Sequence, residues 1–138
     1  MTLSKLNVAY SYSWHLPSSD LVTVQRIMEQ LRAYCIELRC EAVGELSVKP
    51  DSVQFTAVVP DAGQHNFVLM FSPERKSWSA SSWLRVRSFK EIGEIMHHAA
   101  SLGIFVGTTF AGMVMEYKRN AEGEIEVEQR PAFDLDAF

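Results

Sequence analysis

Ser77-Trp-Ser-Ala-Ser-Ser-Trp-Leu-Arg-Val-Arg-Ser88 runs directly into Phe89-Lys-Glu-Ile-Gly-Glu-Ile-Met-His-His-Ala-Ala-Ser-Leu-Gly103, and the change of period at the join decides the fold class. A repeat of two sets Trp78, Ala80, Ser82, Leu84 and Val86 to one side, and Ser79, Ser81, Trp83, Arg85 and Arg87 to the other. That is the pattern of a strand with one packed face. From Phe89 the apolar positions become Phe89, Ile92, Ile95, Met96, Ala99 and Leu102, the stripe of an amphipathic helix. Ser88-Phe-Lys-Glu91 has the form of a capping box, and Gly103 suits the left-handed residue that ends a helix.

Upstream, Leu6, Val8, Tyr10, Tyr12 and Trp14 alternate with small polar residues and predict a half-buried strand. Ser19 is the expected N-cap of a first helix, with Asp20 in its first turn. Its apolar face runs through Leu21, Val24, Ile27 or Met28, Leu31, Tyr34 or Cys35, and Leu38. Lys49-Pro50-Asp51-Ser52, Pro60-Asp61-Ala62-Gly63 and Ser72-Pro73-Glu74-Arg75-Lys76 then punctuate a meander. Between them lie Val53, Phe55, Ala57 and Val59, and a run from Phe67 to Phe71 that is apolar on both sides and reads as a central strand. Downstream, Ile104-Phe105-Val106 is β-prone, and Met113–Arg119 and Glu124–Gln129 form a hairpin around Asn120-Ala-Glu-Gly123. A type I turn closed by a left-handed glycine there sets Tyr117 opposite Val127 and Lys118 opposite Glu126.

The predicted order is β-α-β-β-β-β-α-β-β-β. Connections this short imply antiparallel neighbours, and the expected fold is α+β, a two-layer sandwich of two amphipathic helices on a mostly antiparallel β-sheet. Residues 1–130 read as a single domain and residues 131–138 as an apolar-acidic tail.

The chain has 138 residues, 47% of them hydrophobic, enough for one core without staples. A formal charge of −4 argues against a general nucleic-acid binder. No apolar run approaches the ~20 residues that span a bilayer, and the first residues lack a signal-peptide core, so a cytoplasmic location is expected. Cys35 and Cys40, five apart on one helix, are expected to point away from each other as reduced, packed thiols.

Two constellations could carry function. Glu91, Glu94, His97 and His98 fall on one side of the second helix, where Glu94 reaches His97 at three residues and His98 at four. They raise the alternative of a small-ligand or metal-dependent enzyme, although a catalytic zinc wants three protein ligands and a di-iron site a second such motif. The ordinary role of histidines there is to complement the helix dipole. Trp83, Arg85 and Arg87, beside Arg75 and Lys76, form the second constellation, either an outer strand protected by charge or a partner contact. Phe133, Leu135 and Phe138 in the tail are expected to pack on their own domain or on a second subunit. No nucleophile elbow or phosphate-binding loop occurs.

The expectation is therefore a small non-catalytic domain that binds another protein, or a second copy of itself, as bacterial immunity, antitoxin or chaperone-like proteins do. No cofactor is called for.

Overall fold

The structure, a computed structural model, describes residues 8–17, 20–110 and 112–131, apart from the side chains of residues 8, 9 and 83–85. Among these lie β1 (Val8–Pro17), α1 (Leu21–Glu37), β2 (Ser47–Lys49), β3 (Ser52–Val59), β4 (Gly63–Ser72), β5 (Ser77–Val86), α2 (Lys90–Ser101), β6 (Phe105–Phe110), β7 (Met113–Arg119) and β8 (Ile125–Pro131). The eight strands form one antiparallel sheet in the order β2-β3-β4-β5-β1-β6-β7-β8. The first strand of the chain is thus interior, with β5 on one side and β6 on the other. This accounts for its aromatic run: Tyr10, Tyr12, Trp14 and Leu16 are buried while Ser13 and His15 are exposed.

One face of the sheet is buried from β3 across to β7, because the pleat sends alternate residues to the same side. Val53, Phe55, Ala57 and Val59 of β3, Phe67 and Leu69 of β4, and Val106 and Tyr117 of β6 and β7 belong to it. α1 packs against β3 and α2, and α2 packs against β6, β7 and β8. The helices contribute Val24, Ile27, Met28, Leu31 and Cys35, and Ile92, Ile95, Met96, Ala99 and Ala100. Trp14 lies at the centre, stacked on Phe67 at 5.8 Å with its indole N–H donating to Met96 Sδ at 3.2 Å.

The helix starts differ from expectation. Asp20, not Ser19, caps α1: its Oδ1 accepts from Thr23 N at 2.8 Å, which holds its carboxyl below the usual range. Ser19 lies outside the described residues. The capping box at α2 does not form. Phe89 takes the N-cap position without a side-chain cap bond, and Ser88 Oγ instead accepts from Lys90 N at 3.2 Å. The cause is tertiary: Arg87 N and Ser88 N both donate to Asp61 O, at 2.9 and 3.1 Å, and Phe89 stacks on Phe110 at 5.0 Å. These contacts fix the strand exit, and the helix begins one turn position later. At its other end Gly103 does take a left-handed conformation, φ 107°.

Three further expectations are corrected. β5 is not an outer strand over Ser77–Ser79, where β4 and β1 flank it, but from Ala80 to Val86 it pairs with β1 alone, so the end that carries its arginines keeps one open edge. β4 is interior as expected, but its second face is not covered: Met70 is 57% exposed. The cysteines do not point apart, because α1 stops between them. Arg39 turns left-handed at φ 62°, and Cys40 N donates to Cys35 O at 3.1 Å. The two thiols meet, and burial pushes that of Cys35 up to about 12. Both are unbridged.

The β4–β5 ladder is short, running only from Met70↔Ser79 to Ser72↔Ser77. Beyond it the Tyr12 hydroxyl donates to Asn66 O of β4 at 3.2 Å. Tyr10, two residues away on the same face, has a buried hydroxyl without a partner among the described residues, and burial pushes its ionisation far above the ordinary range. The two tyrosines should therefore respond oppositely to loss of the oxygen. Tyr12→Phe is expected to cost about 1 kcal/mol, because Asn66 O loses its donor. Tyr10→Phe is expected to be neutral or mildly stabilising, since no bond is lost. Urea unfolding of the two variants checks this, and equal costs would contradict it.

Candidate functional site

The α2 histidines take up separate tasks. His98 lies half-buried between the helices, its ring stacked on Tyr34 at 4.0 Å and 7°, and burial lowers its pKa. His97 is exposed and meets Tyr117 edge-on, with ring centroids 6.4 Å apart. Glu94 is exposed and Glu91 half-buried. Adjacent helical residues diverge by about 100°, and here each ring follows a different aromatic partner. Among the described residues no three His, Cys, Asp or Glu side chains converge as metal ligands.

Arg87 is exposed and lines a concavity of about 470 Å³ with Arg39, Glu41 and Asp61, beside the β3–β4 turn. Two arginines and two carboxylates leave it without net charge. The side chains of Trp83 and Arg85 lie outside the described residues, as do Phe133, Leu135 and Phe138. The backbone places Trp83 opposite Ser11 and Arg85 opposite Ala9.

The register of the sheet brings together a set that the sequence did not single out. On the face opposite the core, Met70, Ser79, His15 and Phe105 are successive partners across β4, β5, β1 and β6. Phe105 is 60% exposed, and its ring lies 6.3 Å from that of His15. The next row is small and polar, Ser81, Ser13 and Gly107, leading to Glu116 and Glu128. A third row pairs Trp83, Ser11, Thr109, Val114 and Arg130. First and third rows are four residues apart on each strand, about 13 Å, with a floor of hydroxyls between them.

Gly107 helps keep that floor low, since a Cβ there would meet Ser13 Oγ at 3.3 Å. A concavity of about 550 Å³ results, lined by Ser11, Ser13, Ser81, Gly107, Glu116 and Arg130 among others. Its β7–β8 end is closed by ion pairs, Glu116 with Arg130 at 3.4 Å and Lys118 with Glu128 at 3.0 Å. Exposed pairs like these add little to stability; they neutralise the rim. The concavity therefore offers a floor of hydrogen-bonding groups and little net charge, and Met70 and Phe105 stand exposed in the first row beyond it. Such a surface suits a polypeptide better than a polyanion.

No local pattern marks this set, because it arises from β1 pairing with β5 and β6, strands distant along the chain. The one available signal was Met70, apolar on the second side of a strand.

Among the described residues no helix is long and apolar enough to cross a membrane. No family model matches the chain, and comparisons with curated proteins and with solved structures also found no match.

Proposed function

We propose that the chain is a non-catalytic protein-interaction domain that binds another protein or a second copy of itself, in the manner of immunity, antitoxin or chaperone-like proteins. In this reading the fold is a two-layer sandwich, with both helices on the buried face and the other face left for a partner. The observation that supports it is the row Met70, Ser79, His15 and Phe105, which holds two widely exposed apolar side chains at one end of the open face. Methionine and aromatic residues are enriched at interfaces, and exposed apolar patches mark them. Trp83, Arg85 and Arg87 extend the contact along β5, and Phe133, Leu135 and Phe138 add a second binding segment. Tryptophan and arginine are the side chains that most often dominate binding energy.

Affinity purification from source cells tests the reading, comparing the natural chain with a Met70→Asp, Phe105→Asp double variant. Both substituted positions are exposed, so the fold should survive, as circular dichroism would verify. A partner held at a fixed ratio by the natural chain should be depleted at least tenfold with the variant. Self-association by sedimentation should weaken in parallel if the partner is a second copy. Equal recovery by both chains, or a monomer that retains nothing, would overturn it.

A further inference from the structure

On the core side of the sheet a second groove runs between α2 and the β7–β8 hairpin. Its walls are Phe89, Lys90, Gly93, Glu94 and His97, its floor is Tyr117 and Val127, and its volume is about 390 Å³. The floor is apolar, and Val127 remains 39% exposed although it faces the same side as buried Tyr117. α2 packs against β6, β7 and, with fewer contacts, β8, which has no further strand beyond it among the described residues. We propose that this groove is the seat of the chain's own segment Ala132–Phe138, whose Phe133 and Leu135 fill it. The proposal rests on the reading of Phe133, Leu135 and Phe138 as binding side chains, and it names the surface they bind.

Topology brings the segment to the groove. Pro131 pairs with Met113, Met113 pairs with Phe110, and Phe110 stacks on Phe89. The chain therefore leaves β8 at the end of the sheet where Phe89 begins the groove wall. The opposite end of the hairpin is tied to the other end of α2, where Arg119 donates to Ser101 O. From Phe89 to His97 the groove follows eight helical steps, about 12 Å. Residues 133–138 in extended form span about 17 Å, so a reversal after Pro131 carries them along it.

The pattern of the segment fits as well. In an extended chain Phe133, Leu135 and Ala137 share one side, and Asp134 and Asp136 the other. With the first side on Tyr117 and Val127, the carboxylates lie toward water near Lys90 and the positive end of α2. A tether this short gives an effective concentration of order millimolar. That favours the chain's own segment over an untethered ligand of equal affinity.

The test uses the full chain in a Cys35→Ala, Cys40→Ala background. Val127→Cys and Leu135→Cys are introduced together, and Val22→Cys with Leu135→Cys serves as control because Val22 lies on the exposed side of α1. At micromolar protein under mild oxidation, the first pair is expected to close within one chain at least ten times faster than the control. Chymotrypsin cleavage at Phe133 and Leu135 should also accelerate at least tenfold in Val127→Asp. A disulfide-linked dimer in place of the closed monomer would overturn the seat within one chain, while leaving the segment a binding element. No closure above the control, together with unaltered cleavage, would overturn both the seat and that reading of the tail.

Discussion

Trp14→Ala is expected to cost about 3–5 kcal/mol, the range for removing a buried aromatic side chain from a well-packed core. Native domains are typically stable by only about 5–15 kcal/mol, so the variant should be close to unfolding at 37 °C. Trp14 is 1% exposed and joins the two layers of contacts: Tyr12 and Phe67 beside it on the sheet, Met96 above it on α2. Alanine would remove both the ring area and the N–H contact with sulfur, and no neighbouring backbone can collapse into the space without shifting α2. Trp14→Phe keeps much of the area and should cost clearly less. Urea unfolding at constant m-value measures both. A Trp14→Ala cost below about 1 kcal/mol would contradict the packing described for this core.

The second large effect is expected in acid. His65 is 1% exposed, packed between Tyr10 and Phe67, with Nδ1 on Gly63 O at 3.1 Å. That bond places a proton on Nδ1, and Nε2 is left without a partner among the described residues. Charging the ring would bury an unpaired cation, so desolvation lowers its pKa below the ordinary value. The sign follows directly. Below about pH 6.5 the unfolded chain binds a proton that the folded chain refuses, so stability falls as pH falls.

Stability should decline by up to about 1.4 kcal/mol per pH unit for each such histidine, until the folded-state pKa is reached. His98 contributes in the same direction more weakly, because it is only partly covered and Glu37 opposes the shift. Unfolding midpoints measured between pH 7.5 and 5 should show this slope in the natural chain and a shallower one in His65→Phe. An unchanged slope in that variant would assign the acid loss to other groups.

Local pattern in the sequence carried the element order, the two helical stripes and the β7–β8 register, in which Tyr117 meets Val127 and Lys118 meets Glu126. Each depends on neighbours a few residues apart, so propensity, pleat and turn chemistry were sufficient. What was not legible depended on contacts between distant segments. The capping box yielded to the bonds from Arg87 and Ser88 to Asp61. The two cysteines were brought together by a left-handed Arg39 that no simple rule anticipates.

The same distinction separates the candidate sites. Glu94, His97 and His98 looked like a unit because they are close on one helix, yet Tyr34 and Tyr117 draw the two rings to different neighbours. Met70, His15 and Phe105 are far apart in sequence and share one row across the sheet only because β1 lies between β5 and β6. The Ser77–Gly103 stretch keeps its architectural content, a strand leading into a helix. Of its outward positions, Ser79 lies in the first row and Ser81 in the floor of a concavity that five strands build, while Arg87 lines the one beside the β3–β4 turn.

Hydroxyl-radical footprinting of the chain in its native extract, compared with the purified chain, tests the central claim most directly. Methionine and aromatic side chains report sensitively, and Met70 and Phe105 are both widely exposed when the chain is alone. The account predicts that labelling of Met70 and Phe105 falls at least fivefold in the extract, while Val22 and Ile36 on the outer side of α1 label as before. Protection confined to Val22 and Ile36, or no protection at Met70 and Phe105, would contradict it.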